Sequence, residues 1–170
     1  RRTGLVRRGQ GLMAAWVTAL PGEHMAFNAA VAATLAILAG ADPDLVGPAL
    51  TGFQGLDRRM QFLGERSVGP AGATGAPGTV RVYDDYGHHP TEVDTTLRAL
   101  RQFERPESRP GSGVGGGGRL ICVFQPHQHS RTRFLLDEFA TASSAADIVI
   151  VPEIHFVRDS EIEKSLVTSA

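Results

Sequence analysis

The chain is short of lysine, of cysteine and of long apolar runs, and each shortage removes a class of function. Lys164 is the single lysine of 170 residues, set in a Glu-Ile-Glu-Lys context rather than behind glycines. A Walker A loop, which needs a lysine after its glycines to reach nucleotide phosphates, is therefore absent. Cys122 is the single cysteine, so no internal disulfide can form. The lack of a disulfide fits a reducing compartment, and a cytoplasmic location is expected. No secretory leader and no uninterrupted apolar span of about 20 residues is visible, so the chain reads as soluble. Neither sign of charge dominates, because 17 basic residues face 18 acidic ones for a net charge of -1. That leaves no global field to draw in nucleic acid or an anionic membrane. Any anion must be recognised locally, and with one lysine the task falls to arginine.

A hydrophobic content of 42% over this length can bury a core and allows one domain or parts of two. The chain opens on Arg-Arg-Thr without methionine and closes in a polar stretch, so a fragment of a longer protein is expected.

Residues 12–20 form an apolar run that reads as a strand, ended by Pro21-Gly22. Residues 24–39 follow as a helix with Phe27, Val31, Leu35 and Leu38 at helical spacing and Gly40 as its stop. Being apolar nearly all round, it is expected to be buried. Asp42-Pro43 starts a second helix through about residue 50, with an N-cap aspartate and a first-turn proline. A loop with Asp57, Arg58 and Arg59 then leads to a short strand over residues 61–65. The Gly/Ala/Pro stretch 68–78 reads as a flexible surface connection. The domain junction is placed between Arg59 and Thr79, dividing residues 1–66 from 67–170.

Beyond the junction the pattern becomes β-α-β-α-β: strands at 80–83, 120–124 and 148–151, helices at 91–103 and 133–142. Such alternation predicts an α/β fold with a mainly parallel sheet, whose ligands sit outside the carboxyl ends of the strands. Two polar clusters fall at those ends: Asp84-Asp85-Tyr86-Gly87-His88-His89-Pro90 and Gln125-Pro126-His127-Gln128-His129-Ser130-Arg131. One shared site is expected.

The residues alone leave several readings of that site open. Asp84, Asp85, His88, His89, His127 and His129 could hold a metal, as in a metal-dependent hydrolase. The interleaved Arg131 speaks instead for an anion or nucleotide, catalytic or merely bound, and a third reading has the histidines only capping helices and turns. Gly111 to Gly116 match GxGxxG, but the run follows a helix and precedes a strand, the reverse of what pyrophosphate binding requires, and reads as a loop. His24 and Asn28 lie four apart on one helix face, where burial would oblige both to find partners. Arg58-Arg59, in a loop at the junction, suits phosphate oxygens.

Four segments taken together, PGEHMAFNAA, GLDRRMQ, YDDYGHHPTE and VFQPHQHSRT, resemble the Mur ligases over nearly the whole chain. The third resembles most the branch that adds L-alanine to UDP-N-acetylmuramate. The resemblance implies the end of a central ATPase domain followed by a partial Rossmann-like C-terminal domain. It also implies a bacterial, cytosolic ligase working with ATP and Mg2+ through an acyl phosphate in peptidoglycan synthesis, the isolated chain being inactive. By matching position it implies that His24 and Asn28 border the adenine pocket, that Arg59 reaches nucleotide phosphates and that Asp85 binds the ribose. Tyr86 and His88 would face the reacting centre with Arg131, while His127 and Arg131 hold the alanine and its carboxylate. Met25, Gln128 and His129 depart from the family pattern. The last two replace an arginine and a tyrosine, leaving Arg131 as the surviving fork for a carboxylate and keeping glycine and L-serine as alternative substrates.

Overall fold

A computed structural model describes residues 2–7, 11–70, 77–108 and 117–168. The chain divides into two compact units, Arg1–Gln61 and Phe62–Ala170, against an expected division after residue 66.

In the first unit, strands β1 (Arg2–Arg7) and β2 (Gly11–Val17) pair antiparallel, with a register shift between Leu5 and Val6. Helix α1 (Glu23–Leu38) and helix α2 (Pro43–Gly52) complete the unit. Helix α1 ends as the glycine predicts: Gly40, at φ 98°, donates to Ile37 O, and Ala41 donates to Ala36 O, the paired bonds of a Schellman stop. Helix α2 starts on Asp42, whose Oδ1 accepts from Asp44 N at 2.9 Å, with Pro43 at its first position. Its Gly47 lies so close to β2 that a Cβ there would stand 2.4 Å from Ala15 O, and only glycine permits this approach.

The core of this unit is Trp16, 2% exposed, with Ala14, Ala33 and Val46, flanked by Ala29, Ala30, Ala36, Ile37 and Leu50. Within this chain the expected burial of α1 is met on one side only. The helix presses its alanine stripe onto the core, where small residues let backbones approach, while Phe27, Val31, Leu35 and Leu38 point away and are exposed. Asn28 is exposed too, so the obligation to find a buried partner does not apply to it.

In the second unit β3 (Gln61–Pro70) and β4 (Pro77–Asp84) form one two-stranded sheet, and β5 (Ile121–Val123) and β6 (Ile148–Ile150) form another. The β5–β6 pair is parallel, with Ile121 opposite Ile148 and Val123 opposite Ile150. The expected three-stranded arrangement is corrected in one respect, since β4 joins β3 instead of β5. The flexible connection expected over 68–78 is also narrower, because both strands extend into it; residues 71–76 lie outside the described residues, as does the glycine run 111–116.

Helix α3 (Pro90–Glu104) is amphipathic as its spacing predicts and buries Val93, Leu97 and Leu100. Val93 and Leu97 meet Phe139 and Ala142 of α5 (Leu136–Ala142) over Leu120, Cys122 and Phe124. The helix expected at 133–142 is two helices, because α4 (His129–Phe134) begins four residues earlier and the chain breaks at Leu135. Helix α6 (Glu161–Leu166) packs on α4. No helix among the described residues is long and apolar enough to cross a membrane.

Candidate functional site

The loop from β4 into α3 is held by its own carboxylates. Asp85 Oδ1 accepts from Gly87 N at 2.7 Å, and a Cβ on residue 87 would crowd that oxygen at 2.9 Å. Glu92, one turn into α3, accepts from His88 N at 2.9 Å and His89 N at 3.2 Å, while His89 Nδ1 accepts from Thr91 N at 3.3 Å. This reciprocal pattern is a capping box with histidine in the usual Ser/Thr place, and Pro90 fills the first helical position. His89 is thus committed to the backbone. His88 and Tyr86 remain as the loop's half-exposed pair, rings edge to face at 5.5 Å, with His88 Nδ1 3.2 Å from Tyr86 O and 3.5 Å from Glu92.

The loop from β5 into α4 continues the parallel pairing beyond the sheet. His127 bridges His155 with rings 5.0 Å apart, Gln128 N donates to His155 O, and His155 N donates to Pro126 O. Gln128, at φ 69°, turns the chain into α4, and its carbonyl accepts from Thr132 N and, at 2.8 Å, from Thr132 Oγ1. His129 is buried edge-on to Phe156 and points toward Asp159, with Nδ1 3.8 Å from the carboxylate. It therefore belongs to the interior and offers nothing to a ligand's carboxylate. Arg131 is half-buried on α4, and among the described residues its guanidinium has no hydrogen bond or ion pair. Its neighbour on the same helix differs, since Arg133 is engaged by Glu163 at 3.1 Å through both Nε and a terminal nitrogen.

In the first unit His24 and Asn28 sit one turn apart near the start of α1, both on its first two turns. Arg59 is half-buried in a turn stapled by Gln61, whose amide accepts from Arg58 N and donates to Asp57, each at 2.9 Å. Arg58 and Met60 both take positive φ, at 57° and 48°, and buried Met60 anchors the turn.

The structure thus groups Asp85, Tyr86 and His88 on one loop, and His127 with Arg131 on a second loop and the helix it opens, the two hung from different sheets. Among the described residues no three His, Cys, Asp or Glu side chains converge as a metal-holding group, so the hydrolase reading gains no support. An open groove of about 440 Å³ lies between α3 and residues 144–147, lined by Arg98 and Arg101. Both arginines already hold carboxylates, Arg98 that of Asp94 and Arg101 that of Asp147, each at 2.7 Å.

Sequence reasoning left Asp159 and Glu163 without roles. Asp159 accepts from His129 N at 2.5 Å, Ser130 N at 3.4 Å and Ser130 Oγ at 2.6 Å, and these bonds, the Ser130 hydroxyl foremost, hold its carboxyl below the usual range. The available signal was slight: a helix opening at His129 with no capping side chain at Gln128 needs an acceptor from elsewhere.

A family model described as "Mur ligase, glutamate ligase domain" matches residues 58–168. The UDP-N-acetylmuramate–L-alanine ligase of Mycobacterium sp. (strain JLS) is 43% identical over 154 residues, 91% of this chain and 28% of the relative. That of Rhodococcus erythropolis is 44% identical over 142 residues, 83% of this chain and 26% of the relative. The chain therefore spans little more than a quarter of the length of these relatives. Among solved structures, the UDP-N-acetylmuramate-alanine ligase of Thermotoga maritima superposes with a TM-score of 0.64 at 24% identity, covering 96% of this chain and 30% of that one. A murein peptide ligase from Psychrobacter arcticus gives 0.52 at 25% identity, over 81% and 24%. The parallel β5–β6 pair, the capped YDDYGHHPTE loop and the family match over most of the second unit agree, and the chain belongs to the Mur ligase family.

Proposed function

We propose that the chain is part of an ATP-dependent, amide-forming ligase that joins L-alanine to UDP-N-acetylmuramate in peptidoglycan synthesis. The first unit then closes a central nucleotide-binding domain and the second begins the C-terminal domain that brings in the amino acid. The observation that carries this is Arg131, a half-buried guanidinium on α4 with no protein partner among the described residues, just past the carboxyl end of parallel β5. A planar fork in that position suits a carboxylate, and the two relatives above are named as L-alanine ligases.

In the proposed reaction the muramate carboxylate takes the terminal phosphoryl group of ATP, and the L-alanine amine attacks the acyl phosphate, releasing phosphate. Arg131 holds the alanine carboxylate, and His127, fixed against His155, lines the same loop. Tyr86 and His88 present a phenol and an imidazole suited to hydrogen-bonding the reacting groups. On the nucleotide side Arg59 fits a phosphate in kind, Asp85 a ribose hydroxyl, and His24 with Asn28 the polar edge of adenine. Magnesium takes one or two carboxylates together with waters and phosphate oxygens. It would therefore be held largely by the nucleotide and by water, and would supply charge neutralisation at the transferring phosphoryl group.

With Gln128 forming a turn and His129 buried, Arg131 is the guanidinium proposed to hold the carboxylate. The test is amino-acid-dependent phosphate release by the full-length protein with ATP, magnesium and UDP-N-acetylmuramate, comparing L-alanine, glycine and L-serine. Release is expected with L-alanine. Arg131→Ala should raise the L-alanine KM by about tenfold to a hundredfold, the worth of a hydrogen bond to a charged group. Absence of release with all three amino acids overturns the proposal.

A further inference from the structure

We propose that Asp159 is a positioning residue for the amino-acid site: with Glu163 it clamps α4 at both ends and so aims Arg131. This rests on the reading of Arg131 given above.

Helix α4 has six residues, too few to hold a shape by its own hydrogen bonds. Its first amides have no acceptor within the helix, and its N-cap, Gln128, supplies no side-chain bond. Asp159, 30 residues along the chain, fills that gap. Its side chain is 4% exposed, and its two oxygens take the His129 and Ser130 amides and the Ser130 hydroxyl. Four residues further on, Glu163 takes Arg133 in a two-bond fork. Arg131 stands between the anchored positions 130 and 133, so the direction of its guanidinium follows from how α4 is rotated between them.

The clamp is itself a small folded piece. Arg158, at φ 57°, turns the chain immediately before Asp159, and Ser160 caps α6 by accepting from Glu163 N at 3.2 Å. One short segment therefore delivers both anchors. An ordinary helix cap would end at stabilising α4. What sets this one apart is that the residue it orients is a half-buried arginine whose guanidinium has no partner among the described residues.

The experiment uses the full-length ligase with Asp159→Ala, Asp159→Asn and Glu163→Gln, measuring the KM of each of the three substrates, kcat, and thermal melting. Asp159→Ala should raise the L-alanine KM about tenfold or more and leave the KM of ATP and of UDP-N-acetylmuramate within about twofold. Asp159→Asn keeps one acceptor oxygen and the side-chain shape, and should show a smaller rise in the same substrate only; it carries the test should the alanine variant not fold. Glu163→Gln should show the smallest. A folded Asp159 variant with an unchanged L-alanine KM, or with all three KM values raised alike, overturns the inference alone. Wild-type enzyme that releases no phosphate in response to L-alanine overturns the functional reading, and the inference with it.

Discussion

Helices α1 and α3 are of nearly equal length and both are well ended, yet their sequences specify them unequally. Helix α3 alternates apolar and polar residues at helical spacing, and the face so marked, Val93, Leu97 and Leu100, is the face that is buried. Helix α1 is apolar nearly all round, so no stripe is marked, and packing selected alanines rather than the large side chains. A periodic pattern states which side is covered; an unpatterned apolar helix states only that cover is wanted. How many apolar residues a helix carries and how they are arranged are separate pieces of information, and only the second orients it.

Three substitutions in this chain sharpen or break that contrast, each followed by denaturant unfolding. Leu97→Ala, at a site 5% exposed and packed against Phe139, should destabilise the second unit by about 3 kcal/mol, the usual cost of a cavity in a close-packed core. A more modest effect should appear at the side of α3 that faces Asp147. That carboxyl is held below its usual range chiefly by the Leu120 amide, at 2.6 Å, with Arg101 of α3 adding to it. Its folded pKa lies under the unfolded one, so its contribution is present above the unfolded value and is lost as pH falls through the lower folded value. Asp147→Asn should therefore lower stability at neutral pH, by less than Leu97→Ala does, and the gap to wild type should close in acid as the wild-type carboxyl takes up its proton. The smallest effect belongs to α1: Leu38→Ser, at a site 79% exposed, should shift stability by no more than about 0.5 kcal/mol. A loss there as large as at Leu97 would break the comparison, since it would mean the outward face of α1 is covered.

Local chemistry was legible and remote chemistry was not. The Asp42-Pro43 start, the Gly40 stop and the face of α3 were readable because each depends on residues within a turn or two of one another. The start of α4 lies four residues earlier than its spacing suggests because it is fixed by Asp159, far along the chain, and no spacing rule reaches that distance. The partnering of β4 with β3 escaped for a similar reason: alternation of strand and helix predicts neighbours in a parallel sheet, while β3, next in sequence, is the strand that β4 joins. At the candidate site, residue type and resemblance single out Arg131 as the fork proposed for a carboxylate. That the capping reading holds for His89, and that His129 is buried, could be decided only once their surroundings existed.

The pairing of His127 with His155 bears on how the second unit can move. Two connections that look like independent loops in the sequence share a bridge and two flanking backbone bonds, from Gln128 to His155 O and from His155 to Pro126 O. Neither can swing by itself, because opening one exposes the amides of both to water at once. The loop carrying His127 is therefore braced by its neighbour rather than free to swing.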